Sequence, residues 1–332
     1  MSKLNAEAPA LPNDVPLGEL DKRYFAYVAT LEPPLNELAL DRRVFVGGGE
    51  PRPMVSLQET HPHLVTCIPW FFNEAFPSVL ESDLLDIAEA GVLLILALFV
   101  QDHCLDGQLP SHPGLPLLHQ RLHTASLRKF HTLFEASSPF WSHFDHYLNQ
   151  YMAALLQEAC SHCGQVTTYS LEKMWQIGVG KIAPLKTVTT ALALRAGAEA
   201  EIPNLDAAID AMAASFQLGD DIMDWKDDYR RQNYTLPLTQ AIPVEQWPIP
   251  TLSMKEVDQR LKNALILETL SKQAIDWLEQ ALNAVAHLYC PHWVAFIEER
   301  RAVSESHREW LVAQRLIEII EGKPESSDLA HA

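Results

Sequence analysis

Five aspartates stand close together in Phe216-Gln-Leu-Gly-Asp-Asp-Ile-Met-Asp-Trp-Lys-Asp-Asp228. At about 100° per residue, a helix sets Asp220, Asp224 and Asp228 on one face, with Asp221 and Asp227 beside them. Like charges four residues apart destabilise a helix, so this face needs a neutralising partner. Phe216, Leu218, Ile222, Met223 and Trp225 interleave with the acids. That pattern describes a mostly buried helix, where unpaired carboxylates would be costly. Divalent cations with oxygen ligands meet the need. Mg²⁺ does so above all, because it accepts a few carboxylates, keeps several waters and bridges to substrate phosphates. A solvated acidic face paired with surface lysines is the competing reading, and the apolar interleaving argues against it.

A second acidic pair closes a long apolar run. Gln101-Asp-His-Cys-Leu-Asp106 places Asp102 and Asp106 one turn apart. The end of a helix is electrostatically wrong for anions, since the macrodipole is already negative there. Function explains the placement better than stability, and the two clusters together suggest helices facing each other across a cavity with cations between.

The elements that must position these acids are helices. Ser82–Asp106 carries apolar residues at three- and four-residue steps, and the same period marks Phe144–Ala159, Tyr169–Gly197, Leu205–Asp228, Val257–Ala286 and His292–Glu321. Helix breakers cluster between them: Pro110, Pro113, Gly114 and Pro116, then Pro203 and Asn204, then Pro237 through Pro250. No strict alternation bounded by hairpin turns and no Gly-rich strand-to-helix loop appears, which removes Rossmann and P-loop readings. The expected fold is all-α, a single large antiparallel bundle over 21–322 around a central cavity, with flexible segments at 1–20 and 323–332.

Composition narrows the function classes. With 48% hydrophobic and 20% charged residues, the 332-residue chain is ordinary globular material. Its 25 basic and 43 acidic residues give a net charge of −18, which repels phosphate backbones and anionic lipid. Nucleic acid is excluded as a partner. The apolar run Gly91–Val100 is too short for a bilayer span, so no transmembrane segment is expected. Five cysteines and no leader-like start point to the cytoplasm. Cys160-Ser-His-Cys163 lacks a second ligand pair for zinc and reads as packed thiols.

Phe216–Asp224 resembles the second aspartate-rich motif of trans-type polyprenyl diphosphate synthases and their class I terpene synthase relatives, within the class I isoprenoid synthase superfamily. Gln101–Asp106 is similar to the first motif, with His103 in the place of its second aspartate. Lys181-Ile-Ala-Pro-Leu185 resembles the segment whose lysine contacts diphosphate, and Thr235-Leu-Pro-Leu238 the stretch that follows the second motif. The resemblance covers roughly residues 80 to 240. Family chain-elongating enzymes hold a second diphosphate with an N-terminal Gly-Gly-Lys-Arg-x-Arg-Pro segment. Here Gly47-Gly-Gly-Glu-Pro-Arg-Pro53 puts Gly49 at the lysine and Glu50 at the first arginine, and keeps only Arg52. The paired arginines after the first motif are replaced by Gly107–His112. Fewer cations for a second anion favour a one-substrate reaction.

The resemblance therefore implies a Mg²⁺-dependent class I terpene synthase that ionises an allylic prenyl diphosphate and cyclises or quenches the carbocation. The alternatives are a polyprenyl diphosphate synthase or prenyltransferase, and a non-catalytic regulatory member. Asp102, Asp106, Asp220, Asp224 and Asp228 are the expected ligands of about three Mg²⁺ ions, with Asp221 as a further catalytic acid. Lys181, Lys186, Lys226, Arg230 and Arg231 are the candidates for the diphosphate, Lys181 first by motif position. Ile95, Leu98, Phe99, Gln217 and Trp225 are expected to wall the cavity. Gly219 either packs against a neighbouring helix, the preferred reading, or lets the diphosphate approach. His103 coordinates a metal, acts as a base, or points away from the cavity. Homodimerisation is left open.

Overall fold

A helix that is apolar on every side has to be surrounded. The computed structural model, which describes residues 15–47, 49–105, 107, 109, 111–162, 169–233, 235–246 and 252–320, places such a helix at its centre. The helices run α1 (Leu17–Val28), α2 (Leu35–Leu40), α3 (Arg43–Val46), α4 (Pro62–Val65), α5 (Ile68–Phe72), α6 (Glu81–Leu105), α7 (Gly114–Leu133) and α8 (Phe140–His162). They continue as α9 (Leu171–Ile182), α10 (Lys186–Arg195), α11 (Ile202–Arg231), α12 (Leu236–Ala241), α13 (Met254–Asn263), α14 (Ile266–Ala284) and α15 (Pro291–Ile320). Among the described residues regular structure is helical, apart from an isolated bridge between Asp41 and Pro53. The expected all-α bundle is the observed class.

Nearly every residue of α6 from Leu84 to Val100 is buried, with α1, α3, α7 and α10 packed around it. Two apolar cores result. The larger one surrounds α6 and the first half of α11. The second gathers α9, the later half of α11, α12, α13 and α14. The acidic face of α11 lies within this second half.

Several boundaries differ from those the periodicity predicts. Tyr169–Gly197 does not form one helix: Pro184 has no N–H and obstructs the preceding turn, so α9 and α10 are separated by a 3₁₀ turn at Ala183–Leu185. This stretch, 171–195, is long and apolar enough by composition to cross a membrane, yet 83% of its most apolar 18-residue window is buried inside the protein. Val257–Ala286 divides at Leu265, whose φ of 54° is left-handed. Pro203 does not break α11, because the first turn needs no N–H from it. The proline cluster after α6 precedes a whole further helix, α7, that the breakers obscured. Within the segment 1–20 expected to be flexible, α1 begins at Leu17 and buries Leu20, and residues 1–14 lie outside the described residues. The 323–332 tail lies outside the described residues.

The approach of α9 to its neighbours fixes the site. A Cβ on Gly180 would meet Ala154 Cβ at 2.5 Å and Gln150 O at 2.9 Å, and one on Gly178 would meet Gln217 Cβ at 2.9 Å. Only glycine lets α9 lie so close to both α8 and α11, which carries Lys181 between them.

Candidate functional site

Lys181, near the end of α9, reaches two other helices. Its Nζ lies 3.5 Å from Asp102 Oδ1 on α6 and 2.8 Å from Glu158 Oε2 on α8. The same ammonium pulls down the pKa of Asp220 on α11. One cation is therefore shared by both acidic motifs. Tyr169 stands in the same group: burial first, then Asp221 and Glu158, raise its phenol above the ordinary value, and Lys181 opposes them.

On α11 the acids divide by environment. Burial, reinforced by Asp224, pushes Asp220 up to about 6. Asp228 is likewise pushed up to about 6, burial first, although Asn233 donates to its Oδ1 at 3.2 Å. Asp221 turns into the protein, 4% exposed, and accepts from Gln217 Nε2 at 2.9 Å. Burial raises its pKa well above the carboxylate range. Gln217 thus ties down Asp221. Gly219 settles one expectation against helix packing, since a Cβ there would touch nothing within 4 Å. The space beside Asp220 is open.

The other predicted residues fall in several places. Lys186 is 2% exposed and serves a different network: Nζ donates to Asp210 at 2.8 Å and Gln150 at 3.1 Å, and sits 5.1 Å from the Tyr147 ring. Asp210 precedes Asp220 by about 15 Å of helix, so Lys186 does not join the acidic face. Arg230 pairs with Asp227 on the exposed side, Arg231 is exposed, and Lys226 lies 5.5 Å over the buried Trp225 ring. Ile95 and Leu98 belong to the main core. Phe99 is half-buried between the rings of His61 and His103. His103 Nδ1 meets Val44 O at 3.0 Å, directing the ring to the backbone of α3. Asp106 and Cys163, with the side chain of Cys160, lie outside the described residues.

Glu158 was not legible as a site residue, because it sits in an ordinary amphipathic helix with no motif around it. The N-terminal segment with Gly49, Glu50 and Arg52, the front loop, lies beside ion pairs of its own. Arg52 pairs with Glu59 and Arg43 with Asp41.

The donor set fits Mg²⁺. Among the described residues no three His, Cys, Asp or Glu form a ready cage. Mg²⁺ does not need one, since it binds through one or two carboxylates and completes its shell with water and phosphate. Asp102 Oδ1 is buried and makes no hydrogen bond beyond its 3.5 Å ion pair with Lys181, and Asp220 and Asp228 carry pKa values raised by burial. Those are carboxylates short of positive charge.

No family model matches the chain, and no curated protein does. Solved structures do. A polyprenyl synthetase from Streptomyces coelicolor A3(2) matches with TM-score 0.65 at 16% identity, covering 86% of this chain and 96% of that one. A polyprenyl synthase from Caulobacter crescentus CB15, complexed with calcium and isoprenyl diphosphate, matches with TM-score 0.64 at 17% identity over 89% and 97%. The heptaprenyl diphosphate synthase from Staphylococcus aureus gives 0.63 at 14% identity over 88% and 96%. Over 86–89% of its length the chain has the helical fold of these prenyl diphosphate synthases.

Proposed function

We propose that this chain is a Mg²⁺-dependent enzyme of the class I isoprenoid synthase type, which binds an allylic prenyl diphosphate and breaks its C–O bond to give an allylic cation and pyrophosphate. The supporting observation is the position of Lys181, paired with Asp102 and close enough to Asp220 to lower its pKa. Asp102, Asp220, Asp224 and Asp228, with Asp106 by motif position, hold the metal. Mg²⁺, when bound, stabilises charge on the leaving diphosphate as a Lewis acid. Lys181 adds a point charge to the same oxygens. A carbocation also needs dry apolar surroundings, and the apolar residues of α6 leading to Asp102 would supply them.

Two fates of the cation have separate support. Cyclisation or quenching within one substrate, as in a terpene synthase, fits a front loop with Gly49 and Glu50 and with Arg52 held by Glu59. Transfer to a second prenyl substrate fits the likeness over most of the chain to polyprenyl and heptaprenyl synthases, and the comparisons favour it. Incubation with Mg²⁺ and farnesyl diphosphate, with and without isopentenyl diphosphate, separates them. A longer diphosphate formed only with the second substrate identifies transfer. A hydrocarbon or alcohol formed without it identifies the single-substrate reaction.

A further inference from the structure

Helix α6 is buried on nearly every side up to Val100, and its last turn is not. Gln101 and Asp102 are half-buried, Cys104 and Leu105 are exposed, and of residues 101–105 only His103 is buried, at 7% exposure. The final carbonyls of a helix have no partner within it, so a last turn without packing frays. Asp102 stands in that turn. Whatever holds His103 therefore also holds the first carboxylate of the site.

His103 is held by a hydrogen bond and by ring packing. Its Nδ1 meets Val44 O at 3.0 Å. A carbonyl oxygen only accepts, so Nδ1 carries the hydrogen and the ring is the donor. The face of the ring lies against Phe99, one turn earlier, with centroids 6.0 Å apart and planes 20° from parallel. Phe99 is met in turn by the edge of His61 at 5.4 Å.

The acceptor belongs to a segment that closes on itself. Asp41 bridges to Pro53, Arg42 N donates to Arg52 O at 3.3 Å, and Met54 N donates to Leu40 O at 2.6 Å. Arg42 Nε adds a bond to Glu59 O at 3.0 Å. Val44 and Phe45 are buried, and α3 packs on α6. The front loop is thus tied at its base, and the bond from His103 gives its packing on α6 a fixed register.

We propose that His103 is a positioning residue, whose Nδ1–H bond to Val44 O pins the front loop to the last turn of α6 and fixes Asp102 for the metal and the diphosphate. The proposal rests on the reading of the site given above. Two elements distant in sequence, the front loop and the first acidic motif, then move as one body.

The test compares His103→Asn with His103→Asp in the full chain. The two side chains have nearly the same shape, but the amide offers an N–H to Val44 O and the carboxylate sets oxygen against oxygen. Amide hydrogen exchange at 42–47 and at 101–105, measured without Mg²⁺ or substrate, reads the tie, and exchange at the centre of α11 controls for a general loss of fold. His103→Asp should speed exchange in both segments about tenfold, and His103→Asn should stay near the wild type. In steady-state kinetics His103→Asp should raise the Mg²⁺ concentration for half-maximal rate about tenfold, and His103→Asn should recover most of that loss. Exchange in His103→Asp that is unchanged, or raised in one segment only, overturns the proposal. So does a His103→Asn variant as loose as His103→Asp. A His103→Asp variant that needs less Mg²⁺ than the wild type also overturns it, since the position would then be a metal ligand. Exchange that follows the expected pattern in a chain that ionises no allylic diphosphate supports the tie and defeats the proposed function instead.

Discussion

Lys181 lies closer to Glu158, at 2.8 Å, than to Asp102, at 3.5 Å. Glu158 therefore takes the shorter contact with the ammonium, and Asp102 Oδ1 has that longer ion pair and no hydrogen bond. Lys181→Met should lower kcat/KM for an allylic diphosphate about 10- to 100-fold, the cost of one charged contact to phosphate. Glu158→Gln removes only the positioning partner, and its effect should stay below about tenfold. Steady-state kinetics on both variants checks the order, and a larger loss from Glu158→Gln would contradict it.

Asp221 and Asp220 are neighbours in sequence and differ in setting. Asp221→Asn keeps an acceptor for Gln217 and removes a buried ionisable group, so activity should stay within about threefold and the melting temperature should not fall. Asp220→Asn should remove most of the activity. Equal losses would mean that Asp221 shares the chemistry.

Gly180→Ala tests how α9 carries Lys181. Its methyl would meet Ala154 Cβ at 2.5 Å and a carbonyl oxygen at 2.9 Å. Overpacking of this kind costs about 1–3 kcal/mol, against about 1 kcal/mol gained in helix propensity. Chemical denaturation should show a net loss of stability, with kcat reduced as Lys181 is displaced. A more stable and fully active variant would contradict the packing argument.

The raised pKa values set the pH response. Asp220 and Asp228 sit near 6 when folded, above their unfolded value, so between about pH 4 and 6 the native state binds more protons. Their contribution to metal-free stability is therefore fully present at low pH and is lost as pH rises through 6. Metal binding has the opposite sign, because ligand carboxylates must be deprotonated. Mg²⁺ should raise the melting temperature at pH 7.5 and do little at pH 5, and Asp220→Asn with Asp228→Asn should flatten both trends. A Mg²⁺ effect that is larger at pH 5 would contradict the assignment.

The fold was legible because α6 is apolar on all sides and α11 interleaves apolar residues with acids, patterns that only a helical bundle accommodates. The break at Pro184 and the left-handed Leu265 were hidden, since hydrophobic period continues across both. Within the site, Asp102 and Asp220 both stand near Lys181, the lysine that the resemblance singled out. Lys186 is elsewhere, paired with Asp210, because a helix wheel gives the face of a residue and leaves open which neighbour it meets. Glu158 depends on a contact between helices distant in sequence, and no local pattern marks it.

The central claim is metal-dependent ionisation at the carboxylates of α6 and α11. Its most direct measurement is pyrophosphate release by the purified chain from geranyl, farnesyl and geranylgeranyl diphosphate, with Mg²⁺ against a chelator control, in parallel with an Asp220→Ala, Asp224→Ala variant. Mg²⁺-dependent release from at least one substrate, abolished in the folded variant, is the predicted result. Release from none of the three, or release undiminished in the variant, would contradict the account.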